Sequence, residues 1–318
     1  MAVLVTGCAG FIGSHLCEAL LTRQEPVIGV DCLTDYYDPS WKRKNLSACL
    51  SHAKFQWIHG DLNRLDLPPL LESVDCVFHL AAQPGVRGSW GRSFDLYLQN
   101  NVLATQRLLE AVKEVRRDLK VVFSSSSSIY GNPDLLPTPE TALPRPYSPY
   151  GTTKLAAEQL CMLYHANYHI PAVALRYFTV YGPRQRPDMA FYLFFAAIRA
   201  GRPIRLLGDG SQTRDFTYVQ DIVAANLAAA NNAVEGEVIN IGGGARRSMK
   251  EVIGLFAQIT GKEPAVEYLP VHQGDVKDTW ADISKLKQLL QISPQTSLEV
   301  GLQHQWEWQQ ALQPEDSA

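Results

Sequence analysis

The chain of 318 residues predicts an α/β fold: a doubly wound parallel sheet with a smaller C-terminal α/β lobe. Three observations predict it. Short apolar runs alternate with stretches of helical spacing. A glycine-rich turn, Gly7-Cys-Ala-Gly10-Phe-Ile-Gly13, follows the first run directly. An acid, Asp31, ends the second run. Strands alternating with helices build parallel sheets, because parallel neighbours need a crossover long enough to hold a helix.

The elements follow in chain order. Ala2-Val-Leu-Val-Thr6 is apolar without alternation, the pattern of a strand covered on both faces. Ser14 to Leu21 carries Leu16, Ala19 and Leu20 at helical spacing, and Pro26-Val-Ile-Gly-Val30 is the next strand. These three form one βαβ unit. Phe55 to His59 reads as a third strand and Asp75-Cys-Val-Phe-His-Leu80 as a fourth. A long helix is predicted from about Phe94 to Val115, and Lys120-Val-Val-Phe123 is the fifth strand. Pro149 to Tyr168 reads as a helix and Ala172-Val-Ala-Leu175 as the strand after it. The second half is punctuated by Gly182-Pro183, Arg186-Pro187, Gly201-Arg-Pro203 and Gly208-Asp-Gly210, so shorter elements are expected there. The division expected is residues 1–178 for the sheet domain and 179–318 for the second lobe, with returns to the large sheet near 213–241. The tail 313–318 reads as frayed.

Composition narrows the function classes. Apolar content of 46% and charged content of 19% suit a globular enzyme with a full core. A net charge of −3 gives no electrostatic case for nucleic acid or a membrane surface as a partner. No apolar run has membrane-spanning length, and the first residues lack a basic, then apolar, leader pattern. Cys8, Cys17, Cys32, Cys49, Cys76 and Cys161 are scattered without a paired spacing. They read as reduced thiols in a cytoplasmic protein, and no metal site is expected.

The glycine turn is a dinucleotide fingerprint of the Rossmann type. Gly7 allows the tight turn, Gly10 lets the backbone approach a pyrophosphate and Gly13 allows close packing of helix on strand. The helix opening at Phe11 and Ile12 then points its N-terminus at the anion. Asp31 is placed to accept from both ribose hydroxyls and its charge would repel a 2′-phosphate, so NAD is expected rather than NADP. Lys42-Arg43-Lys44, downstream, reads as a solvated loop that slightly offsets that preference. Asp61, before Leu62, is placed to accept from the adenine amino group; a helix cap is the alternative. Leu80-Ala81-Ala82 ends the fourth strand with side chains small enough for a flat ring to lie on the backbone, and His79 reads as a packing residue.

The chemistry sits in Tyr150-Gly-Thr-Thr-Lys154, preceded by the serine run Ser124 to Ser128. A free phenol, with a pKa near ~10, is a poor base at neutral pH. A lysine one helical turn away is expected to stabilise the phenolate, and a hydroxyl from another strand to orient it. Such a set removes a proton from an alcohol while its carbon is oxidised. The residues alone do not say which of the five serines takes part.

With these motifs in hand, the chain resembles the extended short-chain dehydrogenase/reductases, specifically the nucleotide-sugar epimerases, over almost its whole length. The resemblance rests on Thr6 to Ser14, His79-Leu-Ala-Ala82, Asn100-Asn-Val102, the serine run before Ile129-Tyr-Gly131, Ser148-Pro-Tyr-Gly151 with Lys154, and Gly208 to Phe216. It implies that Ser126, Tyr150 and Lys154 are catalytic and that Asn101 lies on the cofactor side of the site. Related dehydratases carry an Asp-Glu pair where Ser127 and Ser128 stand, and related decarboxylases a Glu at Ser128, so the resemblance implies epimerisation. Thr179-Val-Tyr-Gly-Pro to Asp188-Met189 and Leu33 to Pro39 are similar to UDP-glucuronate 4-epimerases. The resemblance thereby implies a UDP-sugar substrate, inverted at carbon 4 through a transient ketone with NAD bound throughout. Thr179 and Arg186 would hold the uronate carboxylate, Arg87 would reach the site, Arg214 would meet the diphosphate and Asp275 the uridine ribose. His272 and Gln273 depart from the family, many members of which carry an arginine there. A homodimer packed through the 94–115 and 149–168 helices is the family expectation. The alternatives are a UDP-glucose/galactose 4-epimerase, a UDP-glucuronate decarboxylase and, from another class, a non-catalytic nucleotide-binding protein.

Overall fold

The computed structural model describes residues 2–244 and 246–312, so the 313–318 tail lies outside the described residues. Strands β1 (Val3–Thr6), β2 (Val27–Asp31), β3 (Phe55–His59), β4 (Cys76–His79), β5 (Lys120–Ser126) and β6 (Ala172–Tyr177) belong to one sheet. Beyond them come β7 (Thr179–Tyr181), β8 (Ile204–Leu207), β9 (Thr213–Tyr218), β10 (Val238–Ile241), β11 (Arg246–Ser248) and β12 (Val266–Leu269). The large sheet has seven strands in the order β3-β2-β1-β4-β5-β6-β10, and every pairing in it is parallel. This is the doubly wound Rossmann arrangement. Strand order reverses between β1 and β4, which leaves a crevice at their carboxyl ends.

Side-chain alternation explains how the sheet is covered twice. Val3 and Val5 of β1 and Val122 of β5 belong to one core, together with Leu16 and Leu20 of the helix Phe11–Thr22 and Ile222 of the helix Val219–Asn231. Leu4, Val121 and Phe123 point to the other face, against Leu108 and Val112 of the helix Ala104–Val115 and Ala157 and Cys161 of the helix Pro149–Tyr168. A strand buried on both sides has no polar face to display, hence the unbroken apolar runs.

Two expectations are refined. The helix expected over 94–115 is continuous in path but contains a π-helical segment, Leu98–Leu103, between Phe94–Tyr97 and Ala104–Val115. The return near 213–241 is split. β10 does join the large sheet beside β6, and Val219–Asn231 packs as a helix on Phe11–Thr22. β9 instead pairs with β7 and β11 in a separate three-stranded sheet, and β8 pairs with β12.

The lobe is pinned to the large sheet by Asp215 of β9. Its carboxyl accepts from the Gly243 amide at 2.7 Å, just after β10, and from the Ala281 amide at 2.9 Å. Burial raises the Asp215 pKa to about 6, against the backbone donors that favour the charge. A raised folded-state value means this group's contribution to stability is fullest below about pH 4 and is lost as the pH rises through about 6. Melting temperatures across that window should therefore fall more steeply for the native chain than for Asp215→Asn. A methyl at Gly243 would sit 1.8 Å from the Phe216 carbonyl oxygen, so Gly243→Ala should cost about 1–3 kcal/mol or more. Gly254, exposed in the helix Met249–Thr260 with nothing within 4 Å of an added methyl, is the opposite case. There alanine should stabilise by roughly 0.5–1 kcal/mol through backbone entropy. Thermal denaturation of both variants checks the pair.

Candidate active site

A cleft of about 430 Å³ opens at the carboxyl ends of β1, β2, β4 and β5, over the crevice between β1 and β4. Its floor is the glycine turn. Gly7 has φ +71°, and an added Cβ would lie 2.8 Å from the Ala81 amide nitrogen. A Cβ on Gly13 would lie 2.1 Å from the Gly7 carbonyl oxygen. The turn is thus packed against β4 and against its own helix more closely than any side chain permits. Gly10, Phe11 and Ile12 complete this floor, and Leu80, Ala81 and Ala82 form the adjoining wall. The backbone cradle, the helix N-terminus and the acid at its edge fit the pyrophosphate and ribose of NAD.

Asp31 is fixed by its own backbone surroundings. One carboxylate oxygen accepts from the Leu33 amide at 2.8 Å and the other from the Ala9 amide at 3.1 Å, while the residue lines the cleft. Asp61 also lines the cleft, beside buried Leu62, and accepts from the Asn63 amide at 2.9 Å. It is therefore both a turn cap and a cleft residue. Lys42 is not on the solvated loop expected from the sequence. It is buried on the cleft wall, and its ammonium donates to the Thr34 carbonyl and hydroxyl at 2.8 Å each.

His79 sits behind the floor as packing. The Ala81 amide donates to the Thr6 hydroxyl, Thr6 meets His79 Nδ1 at 2.8 Å, His79 Nε2 meets Thr105 Oγ1 at 3.0 Å, and Thr105 donates to the Asn101 carbonyl at 2.6 Å. That order of donors fits a neutral ring protonated on Nε2. Burial pulls its pKa down to about 3, and the Lys154 charge adds to this.

Ser126, Tyr150 and Lys154 come from β5 and the helix Pro149–Tyr168. Ser148 caps that helix by accepting from the Gly151 amide, and Pro149 fits its first turn. A Cβ at Gly151 would fall 2.5 Å from the Ser128 carbonyl oxygen, so the helix start is pressed onto the end of the serine strand. Ser126, Tyr150 and Lys154 all line the cleft as a result. All five serines reach its wall, but their hydroxyls are engaged differently. Ser125 donates to Glu158 at 2.6 Å, whereas Ser126 accepts from the Ser128 amide and favours the Tyr150 phenolate.

One electrostatic expectation changes. The Lys154 ammonium donates to the Ser124 carbonyl and lies 4.5 Å over the Phe123 ring. Burial lowers its pKa to about 8. Burial likewise raises that of Tyr150; Ser126 and then Arg186 oppose this, and Lys154 is not among the groups acting on it. Burial thus works against the Tyr150 phenolate, and the lysine charge is directed at the strand end.

The opposite wall is the segment after β6. Thr179 and Arg186 line the cleft. Arg186 makes a two-pronged pair with Asp188 at 2.9 and 3.1 Å and lies 6.0 Å from the Tyr36 ring centroid. Arg87, Arg214 and Asp275 form a separate group outside this cleft. Arg87 pairs with Asp275 at 3.2 Å, and Arg214 donates to the carbonyls of Thr213, Val276 and Lys277. Asn101 is not on the cleft wall, although Asn100 is. Its amide is consumed by the Gln83 backbone and the Thr153 hydroxyl, so it braces the cleft from behind. Among the described residues no His, Cys, Asp or Glu group is arranged to hold a metal ion. The sequence reading missed Lys42, buried only because Thr34 folds under it, and the partners of Glu158, which lie on strands remote in sequence.

Known proteins share this arrangement. The NAD dependent epimerase/dehydratase family matches residues 3–242. A Bacillus subtilis (strain 168) protein, the uncharacterized UDP-glucose epimerase YtcB, is 47% identical over 95% of this chain and 96% of its own length. A UDP-glucuronate 4-epimerase of Thermodesulfobacterium geofontis is 40% identical over 96% of this chain and 95% of its own. The crystal structure of the UDP-glucuronic acid 4-epimerase from Bacillus cereus, in complex with UDP-glucuronic acid and NAD, superposes with a TM-score of 0.94. It is 46% identical and covers 98% of this chain and 99% of its own. The glycine cradle, the parallel sheet and these matches lead to one conclusion: the chain belongs to the NAD dependent epimerase/dehydratase family.

Proposed function

We propose that the protein is an NAD-dependent UDP-sugar 4-epimerase whose substrate is UDP-glucuronate, converted to UDP-galacturonate. The observation that carries this reading is one cleft lined by a nucleotide cradle, the Ser126–Tyr150–Lys154 set, and a partly buried arginine, Arg186. Bound NAD supplies reversible oxidation of the sugar's carbon 4 to a ketone. Tyr150, aligned by Ser126, takes the proton of the 4-hydroxyl and gives it back to that oxygen after the 4-keto sugar has turned over in the cleft, so that carbon 4 is reduced on its other face. Lys154, charged below about pH 8, adds a cation to the floor of the cleft. The 4-keto uronate is a β-keto acid and loses carbon dioxide readily when its carboxylate stands perpendicular to the carbonyl plane. Arg186 and Thr179 hold that carboxylate away from this geometry, because a planar guanidinium fixes direction as well as charge. Arg214 and Asp275 take the UDP end, with Arg87 exchanging its pair with Asp275 for the ligand.

A homodimer belongs to the same reading. Leu96, Leu103 and Leu163 are exposed on the two helical segments expected to pair. The six free cysteines fit a reducing compartment, the cytoplasm. Among the described residues no helix is long and apolar enough to cross a membrane.

Tyr150→Phe should keep its fold by circular dichroism and lose about 10²–10⁴-fold in turnover; NMR of the product mixture reads this, and near-native turnover would place the base elsewhere. Arg186→Ala should weaken UDP-glucuronate binding by about 10–100-fold, the value of a charged hydrogen-bond pair, and leave a neutral UDP-hexose little changed in calorimetry. Equal losses would refute the carboxylate assignment. Removing the Asp31 carboxylate by alanine should loosen NAD by a similar factor and narrow its advantage over NADP, measured on protein stripped of cofactor.

A further inference from the structure

Beneath the catalytic helix lies a buried polar cluster that the mechanism above does not use. Glu158 is one turn beyond Lys154 and fully buried. Arg176 of β6 donates to both of its oxygens, Nε to Oε2 at 2.9 Å and Nη2 to Oε1 at 2.6 Å. Ser125 of β5, the register partner of Arg176, donates to the same Oε2 at 2.6 Å. Arg176 Nη1 donates to the Tyr130 hydroxyl at 2.6 Å, which in turn donates to Asn240 of β10 at 2.7 Å. One carboxylate therefore ties the helix to two strands directly and to a third through Tyr130. A buried ion pair of this kind is a poor source of net stability, since desolvation offsets the attraction. Its placement calls for another account.

We propose that Glu158, held by Arg176 and Ser125, is the positioning residue of the site: its carboxylate is a buried negative charge one helical turn from Lys154, and it locks the serine strand to the helix carrying Tyr150. The charge inventory around Lys154 supports this. Burial drives the Lys154 pKa down to about 8, and Cys161 and Glu158 act in the other direction. Burial pushes the Cys161 thiol far up, so it is neutral and contributes no charge. On β4, His79 is neutral, and Tyr150 is raised by burial. On β5, the Ser124 carbonyl and Phe123 ring offer only dipole and quadrupole. Glu158 is left as the one anion acting on Lys154 among these groups. It keeps the lysine charged at neutral pH. Because Ser125 precedes Ser126, the same carboxylate also fixes the hydroxyl that aligns Tyr150.

The proposal rests on the epimerase reading for its consequence and on the ligand-free protein for its test. In protein labelled with ε-¹³C-lysine, the Lys154 resonance is assigned by its loss in Lys154→Met. Glu158→Gln should move its titration midpoint down by about one pH unit, the size of shift a nearby charge produces. kcat should fall about twofold at about pH 7, with KM unchanged and its alkaline limb displaced to lower pH by about one unit, as the drop in charged lysine requires. An unmoved Lys154 midpoint in folded Glu158→Gln overturns the proposal. If that variant does not fold, Glu158→Gln/Arg176→Met removes both charges and relieves the unpaired arginine. The lowered midpoint must persist there, and a native midpoint overturns the proposal. Absence of turnover in the native protein with every UDP-sugar would sink the epimerase reading and leave the lysine titration as a separate result.

Discussion

The site depends on how closely one helix can be pressed onto one strand end. The helix Pro149–Tyr168 meets β5 where Gly151 lies under the Ser128 carbonyl, at a separation that excludes any side chain. Deeper along the same contact, Glu158 receives both Ser125 and Arg176. One end of the interface is thus set by the absence of a Cβ and the other by a saturated carboxylate. Lys154 lies between them, Tyr150 sits just before Gly151, and Ser126 follows Ser125 on the strand, so the relative positions of the three have little freedom left. Catalysis by a phenol needs such a fixed frame, because proton transfer depends on sub-ångström distances that a mobile loop does not supply.

The same interface explains an apparent paradox. The two groups expected to be charged during catalysis are both pushed by burial toward neutrality, the tyrosine upward and the lysine downward. A dry cleft is costly for isolated charge and strengthens the interaction between charges that belong there. Ser126 and Arg186 act on Tyr150 in the opposite sense to burial, in favour of the phenolate.

Much of this was legible in the sequence. The alternation of apolar runs with helical spacing gave the parallel sheet, since a strand covered on both faces has no polar face to display. The order glycine turn, Asp31, Tyr150, Lys154 followed from the chemistry of binding a dinucleotide and activating a phenol. Thr179 and Arg186 were expected, by the resemblance, to hold a uronate carboxylate; both line the same cleft as Tyr150. Less legible were residues whose role depends on a partner far along the chain. Asn101 looked like a cofactor contact, yet its amide is spent on Gln83 and Thr153. Lys42 looked like surface charge, yet it is buried against Thr34. The π-helical segment at Leu98–Leu103 was read as ordinary helix within the expected Phe94–Val115 span.

The sequence by itself determined the kind of chemistry: which residue types were present, in which order, and which stretches would be strands. Those properties are local, set by side-chain size, backbone freedom and periodicity. Only the tertiary structure decided the electrostatics and the pairing. Whether a lysine points at a phenol or at a carbonyl, and whether an arginine is solvated or shares a carboxylate with a serine, depends on burial and on strands brought together from distant parts of the chain. Ser125, Glu158 and Arg176 show the division most clearly: each is ordinary in its own segment, and their joint role exists only because β5, β6 and the catalytic helix pack side by side.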